Sequence, residues 1–387
     1  MNSTSPDANR SRPLSPFSSL ADHEVFAVEA DRVQLIARTS DADVAVNVAG
    51  RTYSSKTTSG VAVITVHGLY PNTTYMATVH DGSGATIGQV SFTTRSPMNS
   101  PSTKFATISD VHLGAIEFGG QRSISESEDV DPPFALRCAR AAIAEAIDWG
   151  AQALFIKGDL TETGAHSDWD LVERLLDGIE IPVFASWGNH DVWKTREIEP
   201  AAAAARFSFT SGSLVQHDFD HLRAVLLDTS IPSRGMGKLD QHRDELLDSL
   251  KVDQPVFLGI HHNIMRAPLP WFWPMGISST NARPVVADIA TANPNVFISS
   301  GHTHRNRRHS IGPGGAVTFT EVSATADYPG CWAGYEVSDQ MVRQTVQRIA
   351  APEALVWSER VRAALMGVWA RWSQGTLGDR CVDMSHS

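Results

Sequence analysis

Polar and apolar positions alternate in short steps through the first quarter of the chain. Val33–Thr39, Val44–Val48, Gly60–Val66, Thr74–His80 and Thr86–Phe92 are rich in Val, Ile and Thr. A period of two marks a strand with one buried face. Ala49-Gly50, Pro71-Asn72 and Asp81-Gly82 supply turns between them. Short strands at regular spacing, with no helical window, predict a small β-sandwich over residues 21–97. Residues 1–20 are too polar to bury anything and are expected to be a disordered lead. Ser96–Ser102 reads as a linker of Ser, Pro and Asn.

The pattern then changes. Lys104–Ser109, Ala153–Lys157, Pro182–Trp187, Pro255–Ile260 and Asn295–Ser300 are continuous apolar runs without alternation, the mark of strands buried on both faces. Between them lie helical patterns. Pro133–Trp149 carries Leu136, Ile143 and Ile147 on one face, with Gly150 as C-cap. Ser167–Ile179 carries Trp169, Val172, Leu176 and Ile179, with Ser167 or Asp168 as N-cap. Strand–helix alternation predicts an α/β layered domain over residues 98–350. Residues 351–387 are expected to be one amphipathic helix, Pro352–Trp372, and a loose tail after Gly375. That helix is expected to dock on its own domain. A dimer contact is the second reading, which leaves a homo-oligomer open, and membrane-surface binding is the third.

Composition narrows the function classes. At 387 residues the chain has room for two domains and a tail, and 42% hydrophobic with 19% charged residues suits a soluble globular protein. A net charge of −11, with no local block of Lys or Arg, argues against wrapping nucleic acid. Cys138, Cys331 and Cys381 are widely spaced and odd in number, as in a reducing cytoplasm. No signal-peptide pattern or spanning apolar stretch is present.

Chemistry gathers where the apolar runs end. They lead into Asp110-Val111-His112, Gly158-Asp159, Gly188-Asn189-His190-Asp191, His261-His262 and Gly301-His302-Thr303-His304. Ligands collect at the carboxyl ends of strands in sheets flanked by helices. Asp, His and Asn together suit borderline transition metals such as Zn, Mn or Fe. One such run would mean little, but five in order specify a dinuclear metal site.

From Ser96 to about Ala350 the chain resembles the calcineurin-like metallophosphoesterases, with all five blocks in order. Gly158-Asp159-Leu160-Thr161-Glu162, followed by the Trp169–Leu176 helix, is similar to the cyclic-nucleotide and glycerophosphodiester phosphodiesterase branch. The resemblance implies an αββα sandwich behind the β-sandwich. It implies one metal on Asp110, His112 and His304, a second on Asn189, His261 and His302, and Asp159 bridging both. Two cations about 3.5–4 Å apart can clamp a phosphate ester and acidify a shared water. The bridging hydroxide then attacks phosphorus in line with the leaving alkoxide. His190, outside the ligand set, is expected to protonate that alkoxide, with Asp191 orienting its ring. The expected function is hydrolysis of a small-molecule phosphoric ester, with diesters favoured. A phosphomonoesterase on the same site and a non-catalytic metal-stabilised binding protein are the alternatives.

Other readings stay open. Gly68–Tyr75, where a Tyr follows a Pro-containing turn, resembles the corner of a fibronectin type III domain. The layout also resembles purple acid phosphatases, in which a β-domain precedes the catalytic one. Their Tyr ligand, three residues after the bridging Asp, is replaced here by Glu162, which excludes an iron–tyrosinate centre. Strand alternation separates His261 from His262, and the resemblance favours His261 as the ligand. Met265–Ile277, with Trp271, Phe272 and Trp273, reads equally as a substrate wall or as packing. The acidic stretch Glu117–Asp131 reads as a solvated loop.

Overall fold

A computed structural model of the chain describes residues 22–98, 102–119, 124–193, 196–207, 209–265 and 275–386. Seven strands come first: β1 (His23–Val28), β2 (Arg32–Arg38), β3 (Asp43–Val48), β4 (Arg51–Lys56), β5 (Val61–His67), β6 (Thr74–Asp81) and β7 (Thr86–Thr93). They pair as β1–β2–β5 and β4–β3–β6–β7, both antiparallel. Val44, Val46 and Val48 alternate inward with Val33, Leu35 and Val66 from the facing sheet, closing a sandwich core. The alternation predicts five of these strands. It misses β1, and it misses β4, whose Arg-Thr-Tyr-Ser-Ser-Lys sequence is an exposed sheet edge without an apolar face. At the turn before β6, the Tyr75 hydroxyl accepts from the Tyr70 N–H at 2.9 Å.

The rest of the described chain is built around two sheets. The first runs β13 (Thr210–Ser211), β12 (Val183–Ser186), β11 (Leu154–Lys157), β8 (Thr103–Ile108), β20 (Cys331–Val337), β21 (Met341–Arg348), β22 (Cys381–Ser385). The second runs β14 (Leu214–Phe219), β15 (Leu222–Leu227), β16 (Val256–Ile260), β17 (Val296–Ser300), β19 (Val317–Glu321), β18 (Arg307–Ile311). A two-residue ribbon, β9 (Glu117–Phe118) with β10 (Ile124–Ser125), stands outside both. Phe105, Phe155 and Phe184 of the first sheet meet Leu226, Phe257 and Phe297 of the second, so each central strand is buried on both faces.

Helices cover the outer faces. α1 (Phe134–Trp149), α2 (His166–Leu176), the short α3 (Pro200–Ala204) and α6 (Pro352–Arg362) share a core with the first sheet. α4 (Arg243–Ser249) and α5 (Ser279–Ala292) cover the second. The result is the four-layered αββα sandwich, preceded by the β-sandwich. Among the described residues no helix is long and apolar enough to cross a membrane.

Three local expectations are corrected. The single helix expected over Pro352–Trp372 is broken. After α6 the chain takes a tight turn in which Leu365 and Met366 are left-handed (φ 50° and 54°), then forms α7 (Val368–Ser373). The loose tail expected after Gly375 is instead α8 (Leu377–Arg380) and β22, which pairs antiparallel with β21 and buries Val382. Two or three apolar residues are too few to show a strand by pattern; an open sheet edge supplies the reason. The N-cap of α2 is Ala165, while Asp168 turns back to accept from the N–H and hydroxyl of Thr163, each at 2.9 Å. Gly150 does cap α1, in the left-handed conformation.

Candidate metal centre

Parallel pairing of β8, β11 and β12, and of β15, β16, β17 and β19, brings the ends of the apolar runs to one edge of the sandwich. The residues that follow leave the strand conformation at once. Asp110, His112, Asp159, His302 and His304 all have positive φ, between 50° and 67°. Such backbone is rare and costly for residues with a Cβ, and it collects at functional sites. Left-handed turns, more than strand alternation, aim these side chains at one another.

The glycines of the motifs have a steric cause. A Cβ on Gly188 would lie 2.1 Å from the Asp159 carboxylate, and one on Gly301 would lie 2.4 Å from that of Asp110. The backbone can approach the acids so closely only where no side chain intervenes.

Two clusters result. Asp110, His112 and His304 form one, with His304 Nε2 3.3 Å from Asp110 Oδ1 and 3.4 Å from His112 Nε2. The other gathers His261, His262 and His302, and Asn189 Oδ1 lies 3.2 Å from His261 Nε2. Asp159 stands between them, with Oδ2 3.1 Å from His261 Nε2 and 3.9 Å from His112 Nε2. It also accepts from the His190 N–H at 2.8 Å.

The rings are anchored from behind. His112 Nδ1 lies 2.8 Å from Glu162, His304 Nδ1 2.6 Å from Asp327, His261 Nδ1 2.9 Å from the Lys157 carbonyl and His262 Nδ1 2.9 Å from the Thr229 hydroxyl. Fixing one ring nitrogen turns the other inward, as hydrogen-bond partners behind metal-binding histidines do. Nε2 of both His302 and His262 is buried with no hydrogen-bond partner among the described residues. Buried nitrogens are seldom left so, and in the other cluster the His112 and His304 nitrogens, 3.4 Å apart, suit a shared cation. The donor set therefore fits transition-metal ions.

Electrostatics agree. Burial, reinforced by His261, presses His302 down to about 3, and burial with His302 holds His262 well below its ordinary value. Both are neutral, with a lone pair free to ligate. Burial would also lower His261, but the Asp159 charge outweighs it and carries it to about 9. Burial opposes ionisation of Asp159, yet the surrounding imidazoles, His261 foremost, hold it well below the usual carboxylate range.

His190 sits on the rim with a third of its side chain exposed, its ring 4.7 Å from that of His112. Its Nδ1 is held by the Glu162 carbonyl at 2.7 Å. The expected support from Asp191 is corrected. Asp191 is fully buried and accepts from the N–H groups of Gly188 and Thr161, both at 2.9 Å, and from the Thr161 hydroxyl at 2.8 Å. Those bonds tie two ligand loops together and leave nothing for His190. Burial and the neighbouring Asp159 push its carboxyl up to about 6.

The expected separation of His261 from His262 also fails, because β16 ends at Ile260 and alternation no longer applies beyond it. Sequence reasoning missed Glu162 as a histidine anchor and missed Asp327 altogether. Glu162 had a signal in its spacing from Asp159; Asp327 had none. Trp271, Phe272 and Trp273 lie outside the described residues.

The family model for calcineurin-like phosphoesterases matches residues 103–306, over half of the chain. The protein belongs to that family. Among particular relatives, it is 28% identical over 163 residues to the 3',5'-cyclic adenosine monophosphate phosphodiesterase CpdA of Pseudomonas aeruginosa, covering 40% of this chain and 55% of that one. It is 26% identical over 208 residues to a probable cyclic nucleotide phosphodiesterase of Rhodococcus erythropolis, covering 51% and 63%. The chain thus spans little more than half the length of these relatives. A purple acid phosphatase from yellow lupin seeds is similar in structure, at 14% identity and a TM-score of 0.47 over 85% of this chain and 72% of that one.

Proposed function

We propose that this protein hydrolyses phosphoric diesters at a dinuclear metal centre. In this reading Asp110, His112 and His304 hold one cation, and Asn189, His261 and His302 hold the other. Asp159 bridges them, and the cations are of the Fe, Mn or Zn type. The observation that carries it is the trio His112, His261 and His304, each anchored at Nδ1 and turned inward around the buried Asp159 and Asp110 carboxylates. Bound there, the cations would supply Lewis acidity to the phosphoryl oxygens and acidify a water.

The chain's own groups divide the remaining work. Asp159 and Asp110 bring negative charge to the floor of the site. Glu162 and Asp327 hold the rings of His112 and His304 in place. His190, partly exposed and anchored through Nδ1, presents Nε2 to a departing alkoxide. The names of the two curated relatives favour diesters and nucleotide-type substrates. A phosphomonoesterase on the same residues is the second reading.

The β-sandwich we take to be fibronectin type III-like, on its three-on-four sheet order and the Tyr75 corner. Three unpaired cysteines favour a reducing cytoplasm. The test is hydrolysis by metal-reconstituted protein of a bis-aryl phosphate and of the matching aryl monoester. We expect the diester kcat/KM to lead by about tenfold or more, to vanish with chelator and to return with metal. A monoester preference would replace the first reading by the second. No metal-dependent turnover of either would end both.

A further inference from the structure

The C-terminal residues that broke the expected helix return to the metal centre. The indole of Trp369 is buried with its centroid 6.1 Å from the His304 ring, at 75°, and 4.9 Å from Phe118. Trp372 donates from Nε1 to the Thr303 carbonyl at 3.3 Å, and its ring lies under the Arg305 guanidinium at 4.4 Å. Asn306 donates its N–H to the Ser373 carbonyl at 2.8 Å and its side-chain amide to that of Gln374 at 3.2 Å. Gly375 passes so close that a Cβ there would lie 2.3 Å from the Asn306 carbonyl oxygen. Residues Thr303 to Asn306 are thus gripped along their length by Trp369–Gly375, which lies beyond the family match ending at residue 306.

The same segment is fastened at its other end to the β-sandwich. Arg380, almost fully buried, donates to the Gln374 and Gly375 carbonyls at 3.0 and 2.8 Å. It also donates to the Phe26 and Val25 carbonyls of β1 at 2.8 and 3.1 Å. Gln374 reaches Glu24 of β1 at 2.5 Å and accepts from the Tyr328 hydroxyl at 2.6 Å. Tyr328 adjoins Asp327, the carboxylate that holds His304.

We infer that Trp369–Arg380 is a strap through which the β-sandwich holds His304 in its ligating position, with Trp369 and Trp372 as positioning residues of the metal centre. The inference rests on the dinuclear reading above and deepens it. A ligand that follows a left-handed turn has little local support. Packing and hydrogen bonds from outside the loop must hold it, and loss of such partners typically weakens metal binding about 10–100-fold.

The test is equilibrium titration with Mn²⁺ together with amide hydrogen exchange, on the full chain. Trp369→Ala should weaken one of two Mn²⁺ equivalents by about tenfold or more and leave the other unchanged. Its kcat should fall with little change in KM, and Trp369→Phe should restore both. Exchange should quicken at Thr303–Asn306 and stay unchanged at Asn189–Asp191. Should Trp369→Ala fail to unfold cooperatively, Trp372→Phe decides, since it removes the bond to Thr303 and keeps an aromatic ring under Arg305. It should show the same one-site weakening to a lesser degree. Unchanged binding and exchange in the folded variants, or equal weakening of both sites, overturns the strap. A wild type that binds fewer than two Mn²⁺ overturns the dinuclear reading instead, and the exchange pattern still decides the strap.

Discussion

His190 is the most exposed imidazole of the centre, with 34% of its side chain reachable against 21% for His304 and 11% for His112. Its backbone N–H serves Asp159 while its ring leans on the Glu162 carbonyl, so the residue can lose its ring without unseating the Asp159 carboxylate. His190→Ala should therefore keep its full metal content. It should slow esters of poor leaving groups by about 100-fold and activated aryl esters much less, because only the former need a proton. A leaving-group series run beside metal analysis checks this. Uniform slowing would remove the acid role, and loss of a metal would make His190 a ligand. Asp191 teaches the complementary lesson at this scale. The Asp191 carboxylate, next to His190 in sequence, is not next to its ring in space, because the turn sends it into the floor to bond Gly188 and Thr161.

At the scale of elements, the start of α6 is held by α1. Glu145 of α1 accepts from the N–H groups of Ala350 and Ala351 at 2.7 and 3.1 Å, and from Trp332 Nε1 at 3.2 Å. Burial nevertheless raises its carboxyl to about 7, against an ordinary 4.5. The folded chain then binds a proton that the unfolded chain has lost between those values. The stability this group contributes is full below about pH 4.5 and is lost as pH rises through 7. Glu145→Gln, which keeps a carbonyl acceptor, should flatten that slope. Urea unfolding at about pH 5 and about pH 8 should show wild type losing on the order of 2 kcal/mol more than the variant. Parallel losses in both proteins would refute the assignment.

Across the whole molecule, the β-sandwich and the catalytic layers share buried groups and cannot be treated as beads on a linker. β2 shows this directly. Val33 and Leu35 face the sandwich core, while Ile36 joins the core between the two catalytic sheets and Gln34 bonds to the backbone of Arg348. Glu359 of α6 then pairs with Arg348 of β21 and, at 2.6 Å, with Arg38 of β2. Removing the carboxylate would strand a fully buried guanidinium. Glu359→Ala should cost roughly 3–5 kcal/mol in a single unfolding transition, read by calorimetry or denaturant. A change below about 1 kcal/mol, the size expected of exposed pairs, would show that the triad is not structural.

Sequence alone determined the strand–helix alternation behind the β-sandwich and the Asp, Asn and His residues that gather where its strands end. Apolar runs ending in Asp, Asn and His are local signals, because burial on both faces and a ligand at the strand end each leave their mark on neighbouring residues. The same holds for the alternating strands of the β-sandwich. Tertiary structure decided what depends on partners far away in the chain. Glu162 and Asp327 became histidine anchors, Asp191 became a tie between loops, and β22 became a strand because an open edge at β21 accepted it. The helix expected over Pro352–Trp372 broke at Leu365 and Met366, and the residues after the break were drawn to His304. Such choices are made by contacts between residues tens of positions apart, and no local pattern of polarity carries them.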